Sequence, residues 1–281
     1  MSRIGVQAYT LRDEFARRGV FETFRLAREI GYRTAEVSAV AMTPENVAEL
    51  VRVRDELGVE FASISGGVTG EESLTATFDK FVSDANALGA SMIRIGMLPP
   101  ESMATPETVG AFADTCNEIA ARLRDHGISL HYHNHHVDFA KYDGRFLLDV
   151  VAERSPLVGL EIDAHWVQRG GLDPVATLRK YAGRVAMVHL KDYRIARLDP
   201  EAYAALAAGD REPWQEGLKQ VVQFAEVGEG NLDWHAIIAA ADEAGAVHLL
   251  VEQDECYGRT AFESLRISYD NLVAMGYGDR F

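Results

Sequence analysis

Five glycines, Gly31, Gly58, Gly89, Gly127 and Gly245, each follow an amphipathic, charge-rich stretch and precede a short apolar or β-branched run. Glycine takes positive φ without a Cβ penalty, so each reads as the residue just past a helix C-terminus, opening a strand. The runs predicted as strands are Arg3–Tyr9, Arg33–Ser38, Val59–Ser65, Ser91–Met97, Ile128–Asn134, Leu157–Asp163, Val185–Leu190 and Val247–Glu252. Between them, Thr43-Pro44, Thr105-Pro106 and Asp173-Pro174 each put a capping side chain before a proline at the first helical position. Val47, Leu50, Val51 and Arg54 then recur at helical spacing, as do Phe112, Cys116, Ile119 and Leu123. Strand and helix alternating with short connections argue for a parallel sheet with right-handed crossovers, and eight such units close most economically into one (β/α)8 TIM barrel over residues 1–281. The rival, an open doubly wound sheet, would carry Gly-x-Gly-x-x-Gly after its first strand, and none is there.

Composition excludes several function classes. The 43 Asp+Glu outnumber the 28 Lys+Arg, a formal charge of −15 that repels a phosphate backbone, so no nucleic-acid partner is expected. No apolar run approaches the ~20 residues that span a bilayer, so no membrane partner is expected either. Two cysteines, Cys116 and Cys256, make no disulfide framework, and a soluble, cytoplasmic protein is the expectation. One connection breaks the rhythm: residues 193–226 separate strand seven from the turn Val227-Gly228-Glu229-Gly230-Asn231. Asp199-Pro200 reads as a helix start there, and a long insertion at the C-terminal face of a barrel reads as a lid or a partner contact, with a functionless surface excursion as the alternative.

Barrel active sites lie at the C-terminal strand ends. Strand five ends in His131-Tyr132-His133-Asn134-His135-His136, and strand six in Glu161-Ile162-Asp163-Ala164-His165-Trp166. Strand seven ends in His189-Leu190-Lys191-Asp192 and strand eight in Glu252-Gln253-Asp254-Glu255, whereas the first four strands end far less richly. Period-two alternation places His133, Asp163, His189 and Glu252 in one inward layer near the mouth. His131 and Glu161 fall one layer deeper, where Glu36 and Arg94 also point inward as a polar floor. Buried unpaired charges cost several kcal/mol each, and a divalent metal neutralises both carboxylates while using the imidazole nitrogens. The mixed nitrogen and oxygen set suits Mn²⁺ best, with Mg²⁺, Co²⁺ and Zn²⁺ as alternatives. A metal-free salt-bridge network is the competing reading.

These motifs, with Gly170-Gly171-Leu172-Asp173-Pro174, Val227-Gly228-Glu229-Gly230 and the N-terminal Ile4-Gly5-Val6-Gln7-Ala8-Tyr9, resemble the xylose-isomerase-like barrel superfamily, in its sugar phosphate isomerase/epimerase branch. The resemblance implies a metal held at the ends of strands five to eight by Glu, Asp, His and Glu, of which Asp163, His189 and Glu252 match and His133 replaces the first glutamate. The run Tyr132-His133-Asn134-His135 is closer to inosose dehydratases and related keto-sugar lyases. Isomerases, epimerases and these lyases share removal of an α-proton beside a polarised carbonyl to give an enediolate, then reprotonate it or expel a β-substituent. On this resemblance Glu252 is the expected base, His133 a ligand or second acid/base group, and Lys191 the partner of the enediolate oxygen. His135, Asn134, His165, Trp166, Tyr9 and Arg194 are the expected substrate contacts. The implied partner is a small-molecule carbohydrate, acted on by a metal-dependent isomerase or epimerase, or by a lyase. A metal-binding sugar-recognition subunit that needs a partner chain, or a homo-oligomer, stays open.

Overall fold

The structure, a computed structural model, describes residues 1–281. Eight parallel strands form the barrel: β1 Arg3–Gln7, β2 Thr34–Val37, β3 Glu60–Gly66, β4 Met92–Ile95, β5 Ser129–His133, β6 Gly159–Asp163, β7 Val185–Leu190 and β8 His248–Val251. Each pairs with its sequence neighbours and β8 pairs back onto β1, so the sheet closes without an edge. All five punctuating glycines have positive φ, from 65° at Gly58 to 136° at Gly31. The expected caps are present too. Thr43 accepts from Asn46 N, Thr105 exchanges hydrogen bonds with Thr108, and Asp173 accepts from Val175 N.

Outward side chains of the strands pack under the helices in one continuous cluster that includes Ile4, Ile93, Leu130, Leu160, Val188 and Leu249. Inside the barrel, Ala62, Met92, Met187 and Leu250 form a separate small apolar plug. One close approach demands glycine: a Cβ on Gly5 of β1 would lie 2.4 Å from the Thr34 carbonyl oxygen of β2.

The insertion after β7 is helical in part, as the Asp199-Pro200 signal suggests, with helices Pro200–Ala207 and Glu212–Lys219. Its root is an antiparallel ribbon, Asp192–Ile195 against Val222–Ala225, for which the sequence carries no clear turn signal. A second small hairpin, Lys141–Tyr142 against Arg145–Phe146, follows β5. No helix is long and apolar enough to cross a membrane.

Candidate active site

The C-terminal ends of β5 to β8 carry His133, Asp163, His189 and Glu252, all buried. One donor atom from each lies within 4.8 Å of the others. His133 Nδ1 lies 2.9 Å from the Gly96 carbonyl oxygen, which fixes the ring by an N–H donated to that oxygen and turns Nε2 toward Asp163 Oδ2 at 3.4 Å. Asp163 uses Oδ1 to accept from Trp166 N at 2.9 Å, leaving Oδ2 for the centre. His189 directs Nδ1 toward Glu252 Oε2 at 2.9 Å and Asp163 Oδ2 at 3.5 Å, while Nε2 lies 3.0 Å from Glu161 Oε1 below. Each imidazole is therefore oriented by an oxygen outside the ligand set, the arrangement that holds metal-binding histidines.

The electrostatics suit a cation. Burial pushes the Asp163 and Glu252 carboxyls up, but the Lys191 ammonium and the neighbouring histidines outweigh it and hold both far below the usual range. Burial lowers His133 to about 4, with His189 adding to the effect, so its imidazole is neutral and a lone-pair donor at neutral pH. His189 is held well above its ordinary value, because the Glu161 and Glu252 charges outweigh burial. Nδ1 of His189 and Oε2 of Glu252 make no aligned hydrogen bond despite their burial. These orphaned donors are where a divalent ion would be held, and the residues fit it.

Lys191 bridges the carboxylates, with Nζ at 2.6 Å from Glu252 Oε2, 3.1 Å from Asp163 Oδ2 and 3.0 Å from Asp254 Oδ2. Beneath the centre Arg94 pairs with Glu36 at 2.8 Å and Glu161 at 3.0 Å, and Ser63 Oγ donates to Glu36. The cleft above is about 460 Å³ and is lined by Gln7, Tyr9, Arg12, His135, Trp166 and Phe224 among others. The molecule's largest hollow, about 650 Å³, lies between helices Val20–Ile30 and Ala261–Leu272, and its ionisable residues are all exposed. Size and chemistry point to different hollows, and the buried converging polar groups decide for the cleft.

The sequence matches the family described as xylose isomerase-like TIM barrel over residues 24–266. The chain belongs to that family. Inosose dehydratase of Clostridium perfringens is 27% identical over 186 residues, an alignment spanning 60% of this chain and 60% of that protein. The rhizopine catabolism protein MocC of Rhizobium meliloti is 27% identical over 268 residues, covering 88% of this chain and 79% of its own. Among solved structures, a sugar phosphate isomerase/epimerase from Parabacteroides distasonis superposes with a TM-score of 0.71 at 19% identity, covering 99% of this chain and 96% of its own, and shares the fold. The xylose isomerase-like family is one of enzymes, and the residues with chemical capacity in this member gather on one half of its barrel mouth.

The structure sorts the expected substrate contacts of this family member into two groups. Tyr9, His135, Trp166 and Lys191 line the cleft. Tyr9 is 40% exposed beneath Arg12, so its ring is not part of the packed core. His135, beyond the end of β5, stands edge-on to His133 and beside Trp166. Asn134, His165 and Arg194 stand back from the cleft wall. Asn134 Oδ1 accepts from Asp163 N at 3.0 Å, so it holds the Asp163 backbone in place. His165 lies behind the wall, stacked on Phe224 at 4.3 Å with Nδ1 on the Asp192 carbonyl oxygen. Arg194 donates to Gln223 across the ribbon and covers Tyr257.

The expected depths need correction. His133 is in register with Glu161, and His131 with Gly159, so β5 and β6 are offset by two residues from the depths the sequence implies. His131 is accordingly absent from the polar floor and contacts Ser129 Oγ at the opposite end of the barrel. Sequence reasoning also missed Gln7, Arg12 and Phe224. Gln7 and Arg12 lie in and just after β1, whose end looked chemically poor, and Phe224 reaches the cleft only through the ribbon.

Proposed function

We propose that this enzyme removes an α-proton from a keto-sugar, with Asp163, His189, Glu252 and His133 as the ligands of one divalent ion, Mn²⁺ by donor chemistry. The observation that carries the reading is the convergence of these four donors, within 4.8 Å of one another, beside the buried Lys191 ammonium. When bound, the ion supplies positive charge to the substrate carbonyl. The chain's own residues do the rest. Glu252 is the base that takes the α-proton, and the Lys191 and His189 charges keep it ionised against its burial. Lys191 donates a hydrogen bond to the oxygen that becomes negative. Tyr9 and Trp166 flank the sugar, and His135 presents a neutral ring to a hydroxyl, its charge suppressed by burial to about 2.

Elimination is the outcome we favour over epimerisation. Epimerisation needs a second proton donor on the far face, and the geometry of His133 ties it to the ligand set, with one nitrogen on Gly96 O and the other toward Asp163. In elimination, by contrast, the proton taken by Glu252 returns to the β-oxygen, which leaves on the same face as water or an alcohol. The inosose dehydratase relative supports the same outcome. Inososes and keto-glucose incubated with the Mn²⁺-loaded protein in D₂O should incorporate solvent deuterium and accumulate an unsaturated ketone. Deuterated starting sugar plus its epimer, without the enone, would support the isomerase reading. Absence of exchange in every keto-sugar would reject both.

A further inference from the structure

Beside the cleft lies a second hollow of about 290 Å³, set over the ends of β2, β3 and β4. The two hollows share Arg94, and the chain crosses their boundary twice within a few residues, from Ser38 to Val40 and from Gly96 to Met97. Gly96 makes the shared wall thin, since a Cβ there would lie 2.5 Å from Arg94 Nη1. Ala41 and Gly67 leave the space open, while Ser65, Glu72, Thr77, Lys80 and Asp84 give it a polar side. Ser65 Oγ is buried and without a partner. Lys80 Nζ donates to the Met42 carbonyl oxygen at 2.6 Å and pairs with Asp84, and Glu72 adds a further carboxylate, so the hollow suits uncharged hydroxyls over an anion. None of these groups has a role in the proton removal proposed above.

We infer that this hollow is a subsite for a second ring, and that the substrate is a keto-glycoside whose sugar ring sits at the His133–Glu252 centre and whose aglycone or second sugar lies over β2–β4. The inference rests on the keto-sugar reading. The cleft of about 460 Å³ and the adjoining hollow of about 290 Å³ share Arg94 and together fall in the range that takes ligands larger than a single six-carbon ring.

The test compares 3-keto-glucose with its phenyl and glucosyl glycosides on the Mn²⁺-loaded protein, reading deuterium exchange or turnover. A kcat/KM at least about tenfold higher for the glycosides is expected, the scale of one well-filled apolar contact of about 1.4 kcal/mol. Gly67→Trp and Ala41→Trp plug the hollow, and Gly67 is open around its Cβ position with no positive φ. Both variants should erase the glycoside advantage while keeping the melting temperature and turnover of free 3-keto-glucose. Equal kcat/KM for one- and two-ring substrates, or an advantage that survives both plugs, would overturn the inference. Saturation-transfer NMR with phenyl β-glucoside separates this failure from failure of the keto-sugar reading, because it needs no turnover. Saturation of the phenyl protons that disappears in Gly67→Trp supports the subsite; saturation confined to the sugar ring rejects it.

Discussion

At the scale of single residues, the site is a set of side chains each held by a neighbour. His133 is aimed by the Gly96 carbonyl, Asp163 by Trp166 N and Asn134, and His189 by Glu161. His133→Ala should therefore lose metal and proton exchange together, measured by metal analysis and deuterium NMR on the same sample; full metal occupancy with only the final step lost would reassign it as the acid. Glu161→Gln should weaken metal affinity by about 10–100-fold without removing a ligand, and unchanged affinity by competition with a chelating dye would count against its supporting role. His131 gives a stability prediction. Burial lowers its pKa from 6.5 to about 4, with Glu36 opposing only partly. The unfolded chain then takes up a proton that the native state refuses, so stability is fully present above pH ~6.5 and falls as pH drops toward 4, by about 3 kcal/mol at most. In metal-free protein, His131→Gln should flatten the fall of Tm between pH 7 and 5; an unchanged slope would refute this. Residue types and directions were legible in the sequence because period two is local, and it brought His133, Asp163, His189 and Glu252 together. It stopped being informative beyond His133, where β5 ends, so Asn134 and His165 were expected in a cleft they only support.

At the scale of elements, helices and strands were legible wherever a glycine with positive φ or a capped proline marked the boundary. The ribbon was not, since Val222–Ala225 is four residues long and its pairing with Asp192–Ile195 spans the whole insertion. Its root is held by Asp192, whose carboxylate accepts from Gly228 N, Gly230 N, Leu232 N and Trp234 Nε1 at 2.7–3.2 Å. Gly230 has no room for a side chain, since a Cβ would lie 2.2 Å from Asp192 Oδ1. Hydrogen bonds to a charged acceptor contribute about 1.5–3 kcal/mol each, so Asp192→Ala should lower the unfolding free energy by at least about 3 kcal/mol in urea melts. A loss below 1 kcal/mol would show that the loop holds itself. The two helices above the ribbon are mostly exposed, with Ala202 their one buried side chain. Replacing Asp199–Gly217 by a short turn should leave Tm within a few degrees while lowering kcat/KM, as expected of a lid. Wild-type kinetics in that variant would make the helices surface decoration, and Phe224→Ala would then test the ribbon alone.

At the scale of the whole molecule, closure of the barrel decides what meets what. Eight alternating units implied closure, but the offset between neighbouring strands did not follow from any one of them. The register shift between Leu160 and Glu161 and the two-residue stagger at His133 belong to the closed sheet as a whole. That is why the composition of the centre was readable and its depth was not. The same closure separates two trades. The four clustered residues His133, Asp163, His189 and Glu252 lie in the arc β5–β6–β7–β8, and the arc β2–β3–β4 contributes Glu36, Arg94 and open space. The loops after β2 and β3 can then drift, lengthen or be exchanged between cousins without disturbing that cluster. Descendants of one ancestral catalyst could acquire new diets by rewriting one half of the rim, and an engineer grafting foreign loops after Val37 and Gly66 would be repeating that history at the bench.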